Sequence, residues 1–144
     1  MLGAGAALML ALALAPDAHA ASEPDAVSYR RHIMKTLGEQ AAALGQVLQQ
    51  SSPAENAPLH ARTIAITAKT AVKAFEPRVP GGEAKDDIWR RWDDFAARLN
   101  ALSVNAETLA EIGERDGLPA MQAKVMDVLN CKSCHDAYKM RQGR

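Results

Sequence analysis

Near its C-terminal end the chain reads NCKSCHDAYK, Asn130 to Lys139, and this stretch holds the only two cysteines in the sequence. Cys131, Cys134 and His135 spell C-x-x-C-H. On a helix, residues at i, i+3 and i+4 share a face, so two thiols and an imidazole with this spacing point the same way. Each thiol can bond a haem vinyl group as a thioether while the imidazole reaches the iron from the same side, which is the pattern of c-type haem attachment.

Other chemistries that use paired cysteines each lack a part here. A structural zinc site takes four protein ligands, and in the mature chain only His32 and His60 remain as further histidines, near the starts of other helices. A thioredoxin-like C-x-x-C sits at a strand-to-helix turn in an α/β setting, and no stretch of this sequence alternates strictly enough for a strand. A helical bundle whose two cysteines simply pair with each other is the structural alternative, and it would carry no haem.

The elements that must position the motif read as helices. Val27, Arg30, Met34, Leu37, Ala41, Leu44 and Leu48 recur at three- and four-residue steps and predict a first helix. QQSSPAENAP is the first loop, and a second helix is predicted from about Leu59 to Phe75, with Ile66, Thr70 and Phe75 near one face. EPRVPGGEAKD, with two prolines and two glycines, is the plainest break. A third helix is predicted from near Asp86 past Leu109, with Ile88, Trp92, Phe95, Leu99, Leu102, Ala106 and Leu109 as its inner stripe, ended by Gly113 and Gly117. The fourth begins at Pro119, suited to a first helical turn, and runs through Met121, Val125, Val128, Leu129, Cys131 and His135 towards Tyr138. Four amphipathic helices joined by modest loops predict an all-α fold, an antiparallel up-down-up-down four-helix bundle.

Composition bounds the rest. The 144 residues make one domain, and 48% apolar residues suffice for a single core. Seventeen basic and seventeen acidic side chains cancel, so nucleic acid is not an expected partner. Residues 1–20 read as an export signal: LGAGAALMLALALA is an uncharged apolar run, and PDAHA supplies small residues for cleavage after Ala20. The run is shorter than the ~20 residues of a spanning helix. The mature domain is then 21–144 and its expected location the periplasm, where covalent haem attachment in bacteria takes place.

On DAVSYRRHIM (Asp25 to Met34), DIW (Asp87 to Trp89) and CKSCHDAYK, the chain resembles the class II c-type cytochromes, the family of cytochrome c′ and its low-spin relatives. The resemblance covers the mature chain and implies one haem c. Cys131 and Cys134 would be the thioether cysteines, His135 the proximal iron ligand, Arg30 the arginine beside a haem propionate and Met34 the residue facing the iron on the distal side. Lys139 stands where an arginine often follows the aromatic residue.

Within that family an apolar distal residue accompanies five-coordinate, high-spin iron that binds nitric oxide or carbon monoxide, while a distal methionine accompanies six-coordinate, low-spin electron carriers. Arg30 and Met34 are one helical turn apart, so a helix that places the cation beside a propionate can also place the thioether over the iron. His32, two positions from Met34, is rotated by roughly 200°. Met121 and Met126 are expected to pack in the core, Met140 cannot cross to the distal face, His60 is expected in solvent, and Trp89 and Trp92 are expected to pack.

The expectation is therefore a one-electron carrier with iron held by His135 and Met34, not an enzyme, exchanging electrons with redox partner proteins of the periplasm or a membrane respiratory chain. Pairing of two copies is common in the family. The alternative is a high-spin, gas-binding protein of the cytochrome c′ kind.

Overall fold

The structure, a computed structural model, describes residues 23–49 and 53–141. The expected export signal lies outside the described residues. The described chain folds as a four-helix bundle whose helices are α1 (Glu23–Leu48), α2 (Asn56–Phe75), α4 (Trp92–Asp116) and a fourth one in two pieces, α5 (Leu118–Val128) and α6 (Cys131–Tyr138). A single turn, α3 (Asp87–Arg90), leads into α4. Among the described residues there is no strand, only two isolated bridges, Gly81 with Ala84 and Ala84 with Lys139, and no helix is long and apolar enough to cross a membrane.

Two of the expected helices are interrupted. The third breaks at Arg91, whose φ of −121° and ψ of 46° leave the helical region, and Gly113 does not end it: α4 continues to Asp116 and stops at Gly117, whose φ is +80°. The fourth breaks at Leu129 and Asn130, where Asn130 caps a new helix by accepting from the Ser133 amide at 3.3 Å. That cap places the C-x-x-C-H motif at a helix N-terminus of its own.

The expected stripes of α1 and α4 face inward. Leu44 and Leu48 from α1 and Leu99, Ala106 and Leu109 from α4 are buried. In α2 the expected face is only partly right: Phe75 is buried, but Ile66 is 66% exposed, and the rest of the buried face is Ala57, Ala61, Ile64, Ala65, Ala68 and Ala71. Small side chains let α2 lie close to both α1 and α4, against which it packs. Met126 likewise departs from expectation, being 81% exposed, whereas Met121 is fully buried.

Two core clusters result. One is aliphatic, built from Leu44, Val47, Ile64, Leu109 and Met121 among others. The second is aromatic, built on Phe75, Phe95, Tyr138, Ile88 and Leu99, and it lies beside α6. Phe95 stands edge-on to Phe75 at 5.1 Å and to Tyr138 at 5.2 Å, a favoured arrangement for aromatic pairs.

In the aliphatic cluster α4 meets α5 across Gly113, where an added Cβ would run into Met121 Sδ and Cγ and come within 3.1 Å of Pro58 Cγ. Alanine there gains about 1 kcal/mol of helix propensity but overpacks the contact, at a cost of about 1–3 kcal/mol. Met121 is enclosed and Pro58 is rigid, so the cost wins. Gly113→Ala is expected to lower the melting temperature by several degrees, and a rise on thermal denaturation would show that Met121 repacks freely.

Candidate haem-binding site

α6 presents the three motif residues in its first turns. Cys131 and His135 are exposed and Cys134 is half-buried against the aromatic cluster. The two thiols are not joined to each other. Burial pushes the Cys134 thiol above its ordinary range, opposite to the lowered pKa that activates a redox C-x-x-C. Among the described residues no group of three or more His, Cys, Asp or Glu side chains could hold a metal ion. The thiols therefore remain available for thioether formation.

Although the His135 residue is exposed, its ring is partly screened from water by neighbouring atoms, and this desolvation, followed by the Lys139 ammonium, holds it below the ordinary imidazole range, with Glu83 and Asp136 opposing. The neutral imidazole this favours is the form that ligates a metal. A haem fits this donor set: two protonated thiols and a neutral imidazole project from one short helix, beside an aromatic and aliphatic wall.

The residues expected on the other side of the iron come from α1. Met34 is half-buried and packs against the same aromatic cluster as Cys134, so the fold brings residues of α1 and α6 to one place. Arg30 is 3% exposed. Its Nη1 donates to Val79 O at 2.7 Å and Nη2 to Gly81 O at 3.4 Å, while its guanidinium lies 5.2 Å from the Phe75 ring centroid and 5.4 Å from that of Trp89. Burial lowers its pKa from the ordinary value, yet arginine stays charged in proteins, and the two carbonyls and two π faces compensate that charge.

The other expected residues follow the reading except for His60. His32 is exposed. His60 is half-buried and not free in solvent, with Nδ1 hydrogen-bonded to Gln40 Oε1 at 2.8 Å. Trp89 and Trp92 pack against the aromatic cluster, and Trp89 Nε1 donates to Phe75 O at 2.9 Å. Met140 is exposed beyond α6.

Sequence reading missed what holds α6. The Tyr138 hydroxyl donates to Asp94 near the start of α4, and Asp94 also accepts from Arg98 Nε at 2.8 Å. Both bonds draw the Asp94 carboxyl below its usual range. Arg91 and Arg98 stand over the Tyr138 ring at 4.8 and 5.8 Å. Lys85 reaches the last carbonyls of α6. These partners are far from the motif in sequence, and only the many Arg and Asp residues near position 90 hinted at them.

Comparison with known proteins agrees with this geometry. The family model described as Cytochrome C′ matches residues 25–139. A cytochrome c-556 from Agrobacterium tumefaciens (strain apple 185) is 37% identical over 119 residues, which are 76% of this chain and 90% of that protein. A cytochrome c′ from Alcaligenes xylosoxydans xylosoxydans is 27% identical over 125 residues, 85% and 98% of the two chains. Among solved structures, a ferrous variant of cytochrome c′ from Alcaligenes xylosoxidans with nitric oxide bound superposes with a TM-score of 0.76 at 26% identity, covering 86% of this chain and all of that one. A variant with carbon monoxide bound gives a TM-score of 0.75, also at 26% identity, covering 84% and 98%. With C-x-x-C-H on a capped helix closing a four-helix bundle, the chain belongs to the cytochrome c′ family of class II c-type cytochromes and carries one haem c, covalently attached through Cys131 and Cys134.

Proposed function

We propose that this chain is a periplasmic haem protein that binds nitric oxide or carbon monoxide at its iron, on the side opposite His135. The observation that carries the reading is kinship with solved cytochrome c′ structures, among them one with nitric oxide bound and one with carbon monoxide bound. Bound haem supplies an iron that exchanges one electron and, when ferrous, takes a diatomic ligand. The protein does the rest. Cys131 and Cys134 fix the position of the group, His135 supplies the proximal nitrogen, and Arg30 offsets the charge of a propionate. Met34 stands on the distal side as the group that an entering gas must pass or displace.

A second reading rests on Met34 itself. A thioether in that position can serve as a sixth ligand, and histidine–methionine ligation raises the reduction potential by favouring ferrous iron. With both axial positions filled the protein would be a one-electron carrier, serving redox partners in the periplasm or at a membrane respiratory chain, alone or as a pair of copies.

Carbon monoxide titration of the ferrous protein separates the two. Under the first reading the wild type takes up the gas with a clear optical change, and Met34→Leu tightens binding about tenfold or more, since removing a competitor worth about 1.4 kcal/mol changes affinity by that factor. A wild type indifferent to carbon monoxide, with binding appearing only in Met34→Ala, would overturn gas binding in favour of the carrier.

A further inference from the structure

α6 has only eight residues, and a helix that short does not hold together by itself in water. Tyr138 anchors one side of it to α4. The other side is held by the loop between α2 and α3. Lys85 Nζ donates to Asp136 O at 3.0 Å and to Ala137 O at 3.2 Å, the two carbonyls directly after His135, while the carbonyl of His135 itself accepts from the Lys139 amide at 2.9 Å. The loop backbone joins in: the Lys85 amide donates to Tyr138 O at 3.0 Å and the Met140 amide to Glu83 O at 2.8 Å. Glu83 pairs with Lys139 at 3.3 Å.

The far end of this loop is tied to α1, because Val79 O and Gly81 O accept from Arg30. One segment thus links the helix that bears Arg30 and Met34 to the end of the helix that bears His135. Lys85 is the side chain in it that bonds directly to α6 carbonyls, at Asp136 and Ala137. An ammonium at a helix C-terminus satisfies orphan carbonyls and complements the helix dipole, and here those carbonyls belong to the turn that carries the histidine.

We propose that Lys85 is a positioning residue for His135: by clamping the last turn of α6 it fixes the orientation of the turn that presents the imidazole and places a positive charge at the C-terminal end of the helix that bears it. This assignment rests on His135 being the proximal ligand. A cation held at the end of that short helix disfavours the extra charge of ferric iron, so its removal lowers the midpoint potential.

The test uses the haem-loaded protein with Lys85→Met, which keeps the stem and drops the charge, and Lys85→Arg. Two quantities are read: hydrogen exchange of the segment 131–141 by mass spectrometry, and the midpoint potential. Lys85→Met is expected to speed exchange in that segment about tenfold, as for local opening without global unfolding, to leave α2 and α4 unchanged, and to lower the potential. Lys85→Arg restores most of both. Unchanged exchange overturns the assignment. So does exchange that rises evenly across the bundle with a fall in melting temperature, or faster exchange in 131–141 with an unmoved potential, which would leave Lys85 a helix cap alone. Failure of the gas-binding reading shows separately, in the carbon monoxide titration of the wild type.

Discussion

Serine at both Cys131 and Cys134 is expected to abolish covalent haem: a denaturing gel stained for haem shows a band for the wild type and none for the double variant. Each thioether forms by adding a thiol S–H across a haem vinyl group, so removing both thiols leaves no bond that survives denaturation. The single variants divide the effect. Cys131 is exposed and Cys134 is half-buried against Phe95, Tyr138 and their neighbours. Cys131→Ala keeps one thioether and the packing, whereas Cys134→Ala keeps one thioether and opens the aromatic cluster. Cys134→Ala is therefore the less stable of the two, by about 1 kcal/mol for the lost buried group. Covalent haem in the double variant would overturn the attachment.

The site was legible where its chemistry is local. Cys131, Cys134 and His135 lie within five residues, and one helical turn brings them together whatever the rest of the chain does. Asn130 just before them is a readable cap signal, yet the strong apolar repeat of Met121, Val125, Val128 and Leu129 hid the break by continuing into the motif. Arg91 interrupts the third helix without glycine or proline, so no local signal marked it. The positioning contacts were not legible for another reason. Lys85 meets Asp136 and Ala137 across fifty residues of sequence, and Tyr138 meets Asp94 across more than forty, distances over which spacing carries no information.

The fold followed the same division. Stripes of large side chains, such as Leu44 and Leu48 in α1 or Phe95, Leu99 and Leu109 in α4, stand out at helical spacing and are buried. The inner face of α2 is mostly alanine, which weighs little in any apolar pattern, so the larger Ile66 drew attention although it is exposed. The alanines make sense only in three dimensions, since α2 packs against α1 and α4 at once and small residues permit that approach. In α2 the use of alanine is close packing.

Arg30 carries the second large effect. Its guanidinium is enclosed by Phe75, Trp89, Val79 O and Gly81 O, so its removal strips two acceptors of a charged donor and two rings of a cation. Hydrogen bonds to a charged group contribute about 1.5–3 kcal/mol and a desolvated cation–π contact about 2 kcal/mol. These terms overlap in one side chain, and part of the gain is offset by taking the charge out of water. Arg30→Leu is expected to cost about 2–4 kcal/mol in denaturant unfolding of the haem-loaded protein, among the largest losses for any single side chain here. Arg30→Lys keeps the charge but not the planar fork that serves two carbonyls at once, so it recovers only part of the stability. If Arg30 acts solely as a counter-charge to a propionate, Lys will match the wild type in both stability and midpoint potential. If Arg30 also ties the 76–86 loop to α1, Lys will hold the potential near that of the wild type while stability stays well below it, because the loop needs the fork and the propionate needs only the charge.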